Sequence, residues 1–464
     1  DCGIRGRMSR CKLSFIALLA LLCSAATLSH AQMLAPTPPM GWNSWDAYGL
    51  TINEAQFKAN VSVLAGLKQY GWQYAVIDEG WYMANPFSKR NVEQQQYLWN
   101  ANGLLIPVPA RFPSAANGAG FKPLADWVHA QGLKFGIHIV RGIPRQVVAA
   151  NLPIEGTHYT AQEAADTTSP CPWNHGNWSV KDNAAGQAYY DSMMKMYAQW
   201  GIDFIKVDCI SYGPYRPTEI RQIAEAIRKT GRPIVLSLSP GPTALANAAE
   251  VGKYAQMWRI SSDHWDVWAA EHRPGHGGFP SGIRGAFDRL AEWSPYAKPG
   301  NWPDQDMLPW GWLGPHPGWG QARQSRETHD EQRTEFTLWV FARSPLILGA
   351  NLTRLDEFTR SLITNREVIS INQQATESHP LKNLPAGFEH TRVWEASTGA
   401  GGAVQYFALF NLADQPVTLH FTWAQLGAHG TKEARNVWDG SRMKVSAAAA
   451  VTLPAHGSTI YQVQ

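Results

Sequence analysis

Cysteine, charge of one sign and long apolar runs are all scarce in this chain of 464 residues. Only five cysteines occur, and Cys2, Cys11 and Cys23 among them fall near the start. The two that remain, Cys171 and Cys209, carry no zinc signature, and no His/Cys cluster has ligand spacing. The sequence therefore calls for no metal and no cofactor. Lys and Arg number 40 against 37 Asp and Glu, a net charge of +3, with no long basic run. That removes the electrostatic footprint of nucleic-acid binding. The one marked apolar run, Leu13 to Leu22, is too short to span a bilayer, and no later segment is apolar enough to do so. Internal repeats and low-complexity tracts are also missing.

What is present begins with that apolar run. Arg5, Arg7, Arg10 and Lys12 precede it, and Ser29-His30-Ala31 offers a small-x-small cleavage site. Residues 1–31 thus read as a secretory signal, with Met8 a candidate start. Leu22 directly before Cys23 argues against a lipoprotein site. The expectation is a secreted or periplasmic protein with no membrane association after cleavage. Export permits a disulfide between Cys171 and Cys209; two unrelated thiols are the alternative.

Hydrophobic residues make up 44% of the chain, enough for a large core divided between one large and one smaller domain. From Pro36 onward, strand-like runs alternate with helical patterns. The candidate strands are Gly41–Trp45, Tyr74–Asp78, Leu133–Ile139, Phe204–Asp208, Ile234–Ser239, Met257–Ser261, Trp302–Leu308 and Pro345–Ala350. This count and period predict an α/β fold, a (β/α)8 TIM barrel, over residues 32–375. Beyond it, short alternating runs such as Val404–Phe410, Pro416–Phe421, Ala434–Trp438 and Thr459–Val463 predict a C-terminal antiparallel β-sandwich over 376–464.

The most informative stretch is Gly201-Ile-Asp-Phe-Ile-Lys-Val-Asp-Cys209. Lys206 and Asp208 sit two residues apart in an apolar strand, which puts both on one face. Charge in a buried parallel strand is costly unless paired or used. A structural ion pair is one reading; a catalytic carboxylate at the C-terminal end of a barrel strand is the other. Candidate strands also end near Asp78, Glu79, His138 and Asp263. The 21 tryptophans favour a carbohydrate-active protein weakly, because indole faces stack on apolar sugar faces as well as packing cores.

Six blocks, Pro39–Trp45, Tyr74–Trp81, Lys206–Asp208, Trp258–Asp263, Asn301–Leu308 and Val368–Gln373, resemble the α-galactosidases of glycoside hydrolase family 27, in family order. The resemblance implies a retaining exo-glycosidase that releases terminal α-D-galactose, with Asp208 as nucleophile and Asp263 as acid/base. Retention needs one ionised and one protonated carboxyl close together. Alone, Ser261-Ser-Asp263 before an apolar stretch would read as a helix cap. The resemblance further implies sugar contacts from Trp45, Asp78, Glu79, His138, Lys206, Ser239 and Arg259, with Asp304 and Asp306 as structural supports.

Two departures bear on the substrate. The family's α-galactosidases usually carry Asp-Asp where this chain has Asp78-Glu79, and members with the longer acid there prefer β-L-arabinopyranosides. Ser239 stands where many relatives have Cys or Glu. A β-L-arabinopyranosidase acting by the same pair is therefore the second expectation, and the partner is an oligo- or polysaccharide bearing either sugar. An isomaltose-releasing glucan hydrolase and a non-catalytic carbohydrate-binding barrel are weaker alternatives. An insertion between His138 and Cys171, with Arg141, Arg145 and Trp173 in or near it, could cap the pocket.

Overall fold

The computed structural model describes residues 33–86, 94–270, 279–314, 320–428 and 432–463. The expected signal, residues 1–31, lies outside the described residues. From Ala35 onward the chain forms one compact unit.

Eight parallel strands make its centre: β1 Met40–Asn43, β2 Tyr74–Ile77, β3 Lys134–Val140, β4 Phe204–Asp208, β5 Val235–Leu238, β6 Met257–Arg259, β7 Trp302–Asp304 and β8 Leu346–Leu348. The sheet runs β7-β6-β5-β4-β3-β2-β1-β8. A parallel bridge between Leu308 and Leu348 draws its two ends together. Helices connect the strands: α1 Glu54–Leu67, α2 Lys122–Ala130, α3 Ala184–Trp200, α4 Pro217–Thr230, α5 Ala248–Tyr254, α6 Ile283–Trp293 and α7 His329–Phe341. This is the expected (β/α)8 barrel. Local signals fix the helix ends. Asn53 and Gln56 form a capping box at α1, Thr328 and Glu331 another at α7, and α4 starts on Pro217 and stops at Gly231 with φ +71°.

Period-two alternation along the strands decides where chemistry can occur. Outward residues such as Ile77, Ile137, Ile205, Val207 and Leu238 pack with helix residues including Phe57, Leu64, Val128 and Ile223 in the main core. Inward residues at the strand starts form a separate apolar plug of Tyr74, Val76, Phe204, Val235, Met257 and Trp302. Continuing each inward column toward the strand's C-terminal end gives Asp78, Lys206 and Asp208, Ser237 and Ser239, Arg259, and Asp304. Gly136 belongs to the same layer, and a Cβ there would come to 3.0 Å from both Phe204 and Val76. The barrel is therefore filled with apolar side chains at one end and lined with polar ones at the other.

After β8, helices α8 Glu357–Ile363 and α9 Arg366–Gln374 lead to antiparallel strands. Six of these, β9 Glu377–Pro380, β10 Thr391–Thr398, β11 Val404–Asn411, β13 Glu433–Asn436, β14 Arg442–Lys444 and β16 Ser458–Val463, form a sheet ordered β9-β10-β11-β16-β13-β14. The pair β12 Val417–Thr422 and β15 Ala448–Leu453 forms the second sheet. Phe407 and Leu409 on β11 pack into the sandwich core with Leu419, Phe421 and Trp423. Tyr406, Ala408 and Phe410 face the other way and join the barrel's core. Both faces of β11 are thus covered, and α7 is buried almost all round between the two layers.

The chain between β3 and α3 adds a small sheet of Ile143–Pro144, Asn177–Val180 and Ala165–Pro170. A disulfide joins Cys171 to Cys209, so the bridged reading of the two cysteines holds. It ties this hairpin to the residue following Asp208.

Candidate active site

A cavity of about 620 Å³ opens at the C-terminal ends of the barrel strands. Trp45, Asp78, Glu79, Lys206, Asp208, Ser239, Arg259 and Asp263 all line it. His138, expected among the sugar contacts, does not. Its side chain is 1% exposed and sits behind Asp208, because the β3–β4 register sets His138 beside Lys206, one layer below Asp208.

On the β2–β4 side the polar groups pair with one another. Asp78 Oδ2 accepts from Lys206 Nζ at 2.9 Å and from Asn43 Nδ2 at 2.7 Å. Its Oδ1 accepts from the Glu79 backbone N–H at 2.8 Å, and its own N–H donates to Ser44 Oγ at 2.9 Å. Burial alone would push the Asp78 carboxyl up; the charges of Lys206 and His138 outweigh it and hold it well below the usual carboxylate range. Lys206 behaves as the mirror image: burial pulls its ammonium down, but Asp78 and Asp306 more than restore it. His138 Nε2 lies 3.2 Å from Asp208 Oδ2. Burial disfavours a charged imidazole, but Asp78 and Asp208 together raise its affinity for a proton. In return, although burial pushes Asp208 up, the His138 hydrogen bond and charge and the nearby Lys206 hold it below the usual value. The Cys209 N–H donates to Asp208 Oδ1. Cys209 itself adopts φ +63°, a costly conformation for a residue with a Cβ. Arg141 Nε donates to its carbonyl.

On the β6–β7 side the arrangement is looser. The Asp263 side chain is 45% exposed. Arg259 lies 3.4 Å from it but only 2.6 Å from Asp306 Oδ2, so its charge is mainly engaged elsewhere. Asp306 also accepts from the His264 N–H at 2.8 Å and donates its own N–H to Asp304 Oδ1 at 2.9 Å. Although its tip still meets solvent, enclosure by the cavity walls raises the Asp263 carboxyl, Arg259 opposes this, and the charges of Asp306 and Asp208 add to it. Asp304, buried below, is pushed up to about 6 by burial against the pull of Arg259. Two carboxyls facing one cavity are thus driven apart, Asp208 toward ionisation and Asp263 toward protonation. That division suits one nucleophile and one acid/base.

Three further features shape the cavity, of which Asp46 and Asn174 carry no local sequence signal while Trp173 is the residue expected near a capping insertion. Asp46 is buried under the cavity with neither oxygen hydrogen-bonded, and burial followed by the charge of Asp306 pushes it well above the usual range. Trp173 and Asn174 reach the cavity from the disulfide-tied hairpin, and Asn174 Nδ2 donates to Glu79 Oε1 at 2.6 Å. Asp306, read from the sequence as a support, braces Arg259 and the turn that carries Asp263 while also lining the wall.

Among the described residues, His264, Glu327 and Glu335 bring donor atoms within 4.8 Å of one another in a buried group that could hold a metal ion. His264 Nε2 and Glu335 Oε1 stand 2.7 Å apart, closer than the roughly 3 Å between neighbouring ligands each about 2.1 Å from one ion. Trp310 Nε1 donates to the other Glu335 oxygen at 2.6 Å. Burial and then the Glu335 charge push the Glu327 carboxyl far above the usual carboxylate range.

Comparison with known proteins adds identity to this geometry. The sequence profile described as alpha galactosidase A matches residues 174–374. The one described as alpha galactosidase C-terminal beta sandwich domain matches residues 389–463. The chain is 29% identical to "Alpha-galactosidase A" of Cellvibrio japonicus, over 96% of each chain. It is similar to a GH27 β-L-arabinopyranosidase from Geobacillus stearothermophilus, with 39% identity, a TM-score of 0.83, and 93% of this chain and 97% of that one covered. A variant of the same enzyme in complex with arabinose gives 40% identity and a TM-score of 0.84 at the same coverage. Alpha-galactosidase I from Mortierella vinacea is 25% identical with a TM-score of 0.67, covering 93% and 98%.

Proposed function

Because this chain belongs to glycoside hydrolase family 27, we propose that it is a retaining exo-glycosidase whose preferred substrate is a terminal β-L-arabinopyranoside. The carrying observation is Glu79, a carboxylate one methylene longer than the aspartate usual in α-galactosidases, on the cavity wall beside Asp78. β-L-Arabinopyranose shares the ring stereochemistry of α-D-galactose but lacks the C5 hydroxymethyl. A longer acid fills the vacated space and crowds the hexose, a misfit of roughly 1–3 kcal/mol per methylene. The 39% identity to a β-L-arabinopyranosidase points the same way.

In this reading, Lys206 and Asp78 bind ring hydroxyls as a fixed charge pair. Ionised Asp208 attacks the anomeric carbon while protonated Asp263 gives its proton to the leaving oxygen. The resulting glycosyl ester on Asp208 is then cleaved by a water that Asp263 deprotonates, which restores both groups. The enzyme works outside the cytoplasm, a reading supported by the signal-like residues 1–31 and by the Cys171–Cys209 disulfide.

The second reading, an α-galactosidase, is favoured by the 29% identity to the Cellvibrio japonicus enzyme along nearly the whole of both chains. A panel of nitrophenyl β-L-arabinopyranoside, α-D-galactoside and α-N-acetylgalactosaminide separates the readings. A higher kcat/KM on the arabinopyranoside is expected; a higher value on the galactoside installs the second reading. Glu79→Asp should then swing the ratio toward galactoside by at least about tenfold. An unchanged ratio removes Glu79 as the selector.

A further inference from the structure

Asn174, on the disulfide-tied hairpin, hydrogen-bonds the proposed selector, and its surroundings hold it still. Its Nδ2 donates to Glu79 Oε1 at 2.6 Å. Its Oδ1 accepts from the Gly176 N–H at 3.0 Å, which fixes the direction of the amide. Gly176 has no room for a side chain: a Cβ would stand 2.3 Å from the Tyr97 hydroxyl and 3.0 Å from Asn174 Oδ1. The turn is pinned on both flanks. Before it, Cys171 is bonded to Cys209 beside Asp208. After it, Gly176 O accepts from the Arg145 N–H at 2.9 Å. Asn177 Nδ2 donates to the carbonyls of Val140 and Arg141 at the end of β3, at 3.2 and 3.1 Å.

A glutamate has one more rotatable bond than an aspartate, so exchanging one for the other adds reach and loses aim. A selector that excludes a hydroxymethyl must be held in place, because a free carboxylate would swing aside for the larger sugar. We propose that Asn174 is a positioning residue for sugar specificity: it holds the Glu79 carboxylate across the space that a C5 substituent would occupy, so the disulfide-tied hairpin sets the choice between pentopyranose and hexopyranose. This rests on the reading of Glu79 given above. Asn174 acts through Glu79 and takes no part in the proton transfers of Asp208 and Asp263.

The test is a double-mutant cycle on Asn174 and Glu79, read as the ratio of kcat/KM on nitrophenyl β-L-arabinopyranoside to that on α-D-galactoside. Asn174→Ala should lower the ratio by at least about fivefold, part of the roughly tenfold expected of Glu79→Asp. Asn174→Asp, isosteric and therefore gentle on the fold, should lower it further by repelling the Glu79 carboxylate. In a Glu79→Asp background, Asn174→Ala should move the ratio by less than about twofold, since coupled residues are not additive. A residue that merely supports the hairpin would depress both substrates together and leave the ratio alone. The proposal is overturned if both Asn174 variants keep the wild-type ratio within about twofold, or if Asn174→Ala shifts it equally in both backgrounds. If the wild-type enzyme favours galactoside, the functional reading fails instead, and the coupling of Asn174 to Glu79 is still read from the change in ratio.

Discussion

The two walls of the cavity hold their carboxylates in opposite ways. On the β2–β4 wall, Asp78, Lys206, His138 and Asp208 form a tight net in which positive groups outweigh burial, and Asp208 is 19% exposed. On the β6–β7 wall, Arg259 is held by Asp306 at 2.6 Å and reaches Asp263 only at 3.4 Å, leaving Asp263 45% exposed and surrounded by other acids. The chemical type is the same on both walls. What differs is which group owns the nearest cation. Asp208 holds His138, with Lys206 close behind, whereas Arg259 is held by Asp306, and that difference drives one aspartate toward ionisation and the other toward protonation.

The strongest way to break this comparison is to remove the ionised member. Asp208→Ala or →Asn should lower kcat/KM by at least about a thousandfold, because no glycosyl ester can form. More than a few per cent of wild-type activity in a folded variant, checked by circular dichroism, would take the nucleophile away from β4.

Removing the acid should do less, and selectively. Asp263→Asn should cost roughly 10²- to 10⁴-fold on alkyl glycosides and far less on nitrophenyl ones, whose leaving group needs little protonation. The wild-type pH profile should be a bell. Asp208 must be ionised and its pKa is lowered, so the acidic limb lies below the ordinary carboxylate range. Asp263 must be protonated and its pKa is raised, so the alkaline limb lies above that range and should vanish in the Asp263 variant. Equal losses across a leaving-group series would mean that the acid lies elsewhere.

The smallest effect sharpens the comparison from behind. His138→Gln keeps a hydrogen-bond donor near Asp208 but removes the positive charge, so the acidic limb should move up in pH while the alkaline limb stays. The same histidine has its folded pKa raised above the unfolded value by Asp78 and Asp208. Its stabilising contribution is full below the unfolded value and is lost as pH rises through the folded one. The stability gap between wild type and His138→Gln should therefore shrink from pH 5 toward alkaline pH in thermal melts. A gap that widens would show that His138 is held neutral.

Much of this site was legible before any coordinates. Lys206 and Asp208 stood out because charge at period two in an apolar strand is costly and so tends to be used. Asp78-Glu79 and Trp258–Asp263 stood out as blocks at strand ends. The resemblance makes His138 a sugar contact, whereas the register with β4 sets it one layer below Asp208, because a strand's period tells which face a residue takes and leaves its depth to the pairing. Asn174 gave no signal at all. It lies 95 residues from Glu79, and an asparagine in a polar turn is ordinary in sequence. Asp46 was equally silent, since only three-dimensional burial distinguishes it from an exposed aspartate.

The sequence by itself determined the alternation of strands and helices, the sandwich pattern after the barrel, the inward columns that change from apolar to polar, and the two aspartates at strand ends. These follow from local spacing, which a chain carries whatever its partners. Tertiary structure alone decided that Cys171 meets Cys209, that Lys206 serves Asp78 while Arg259 serves Asp306, and that a hairpin from the β3–α3 connection holds Glu79. Those are choices among distant partners. They depend on register, twist and loop closure, and a charge or a hydrogen bond takes its effect from the few ångströms that only the folded chain fixes.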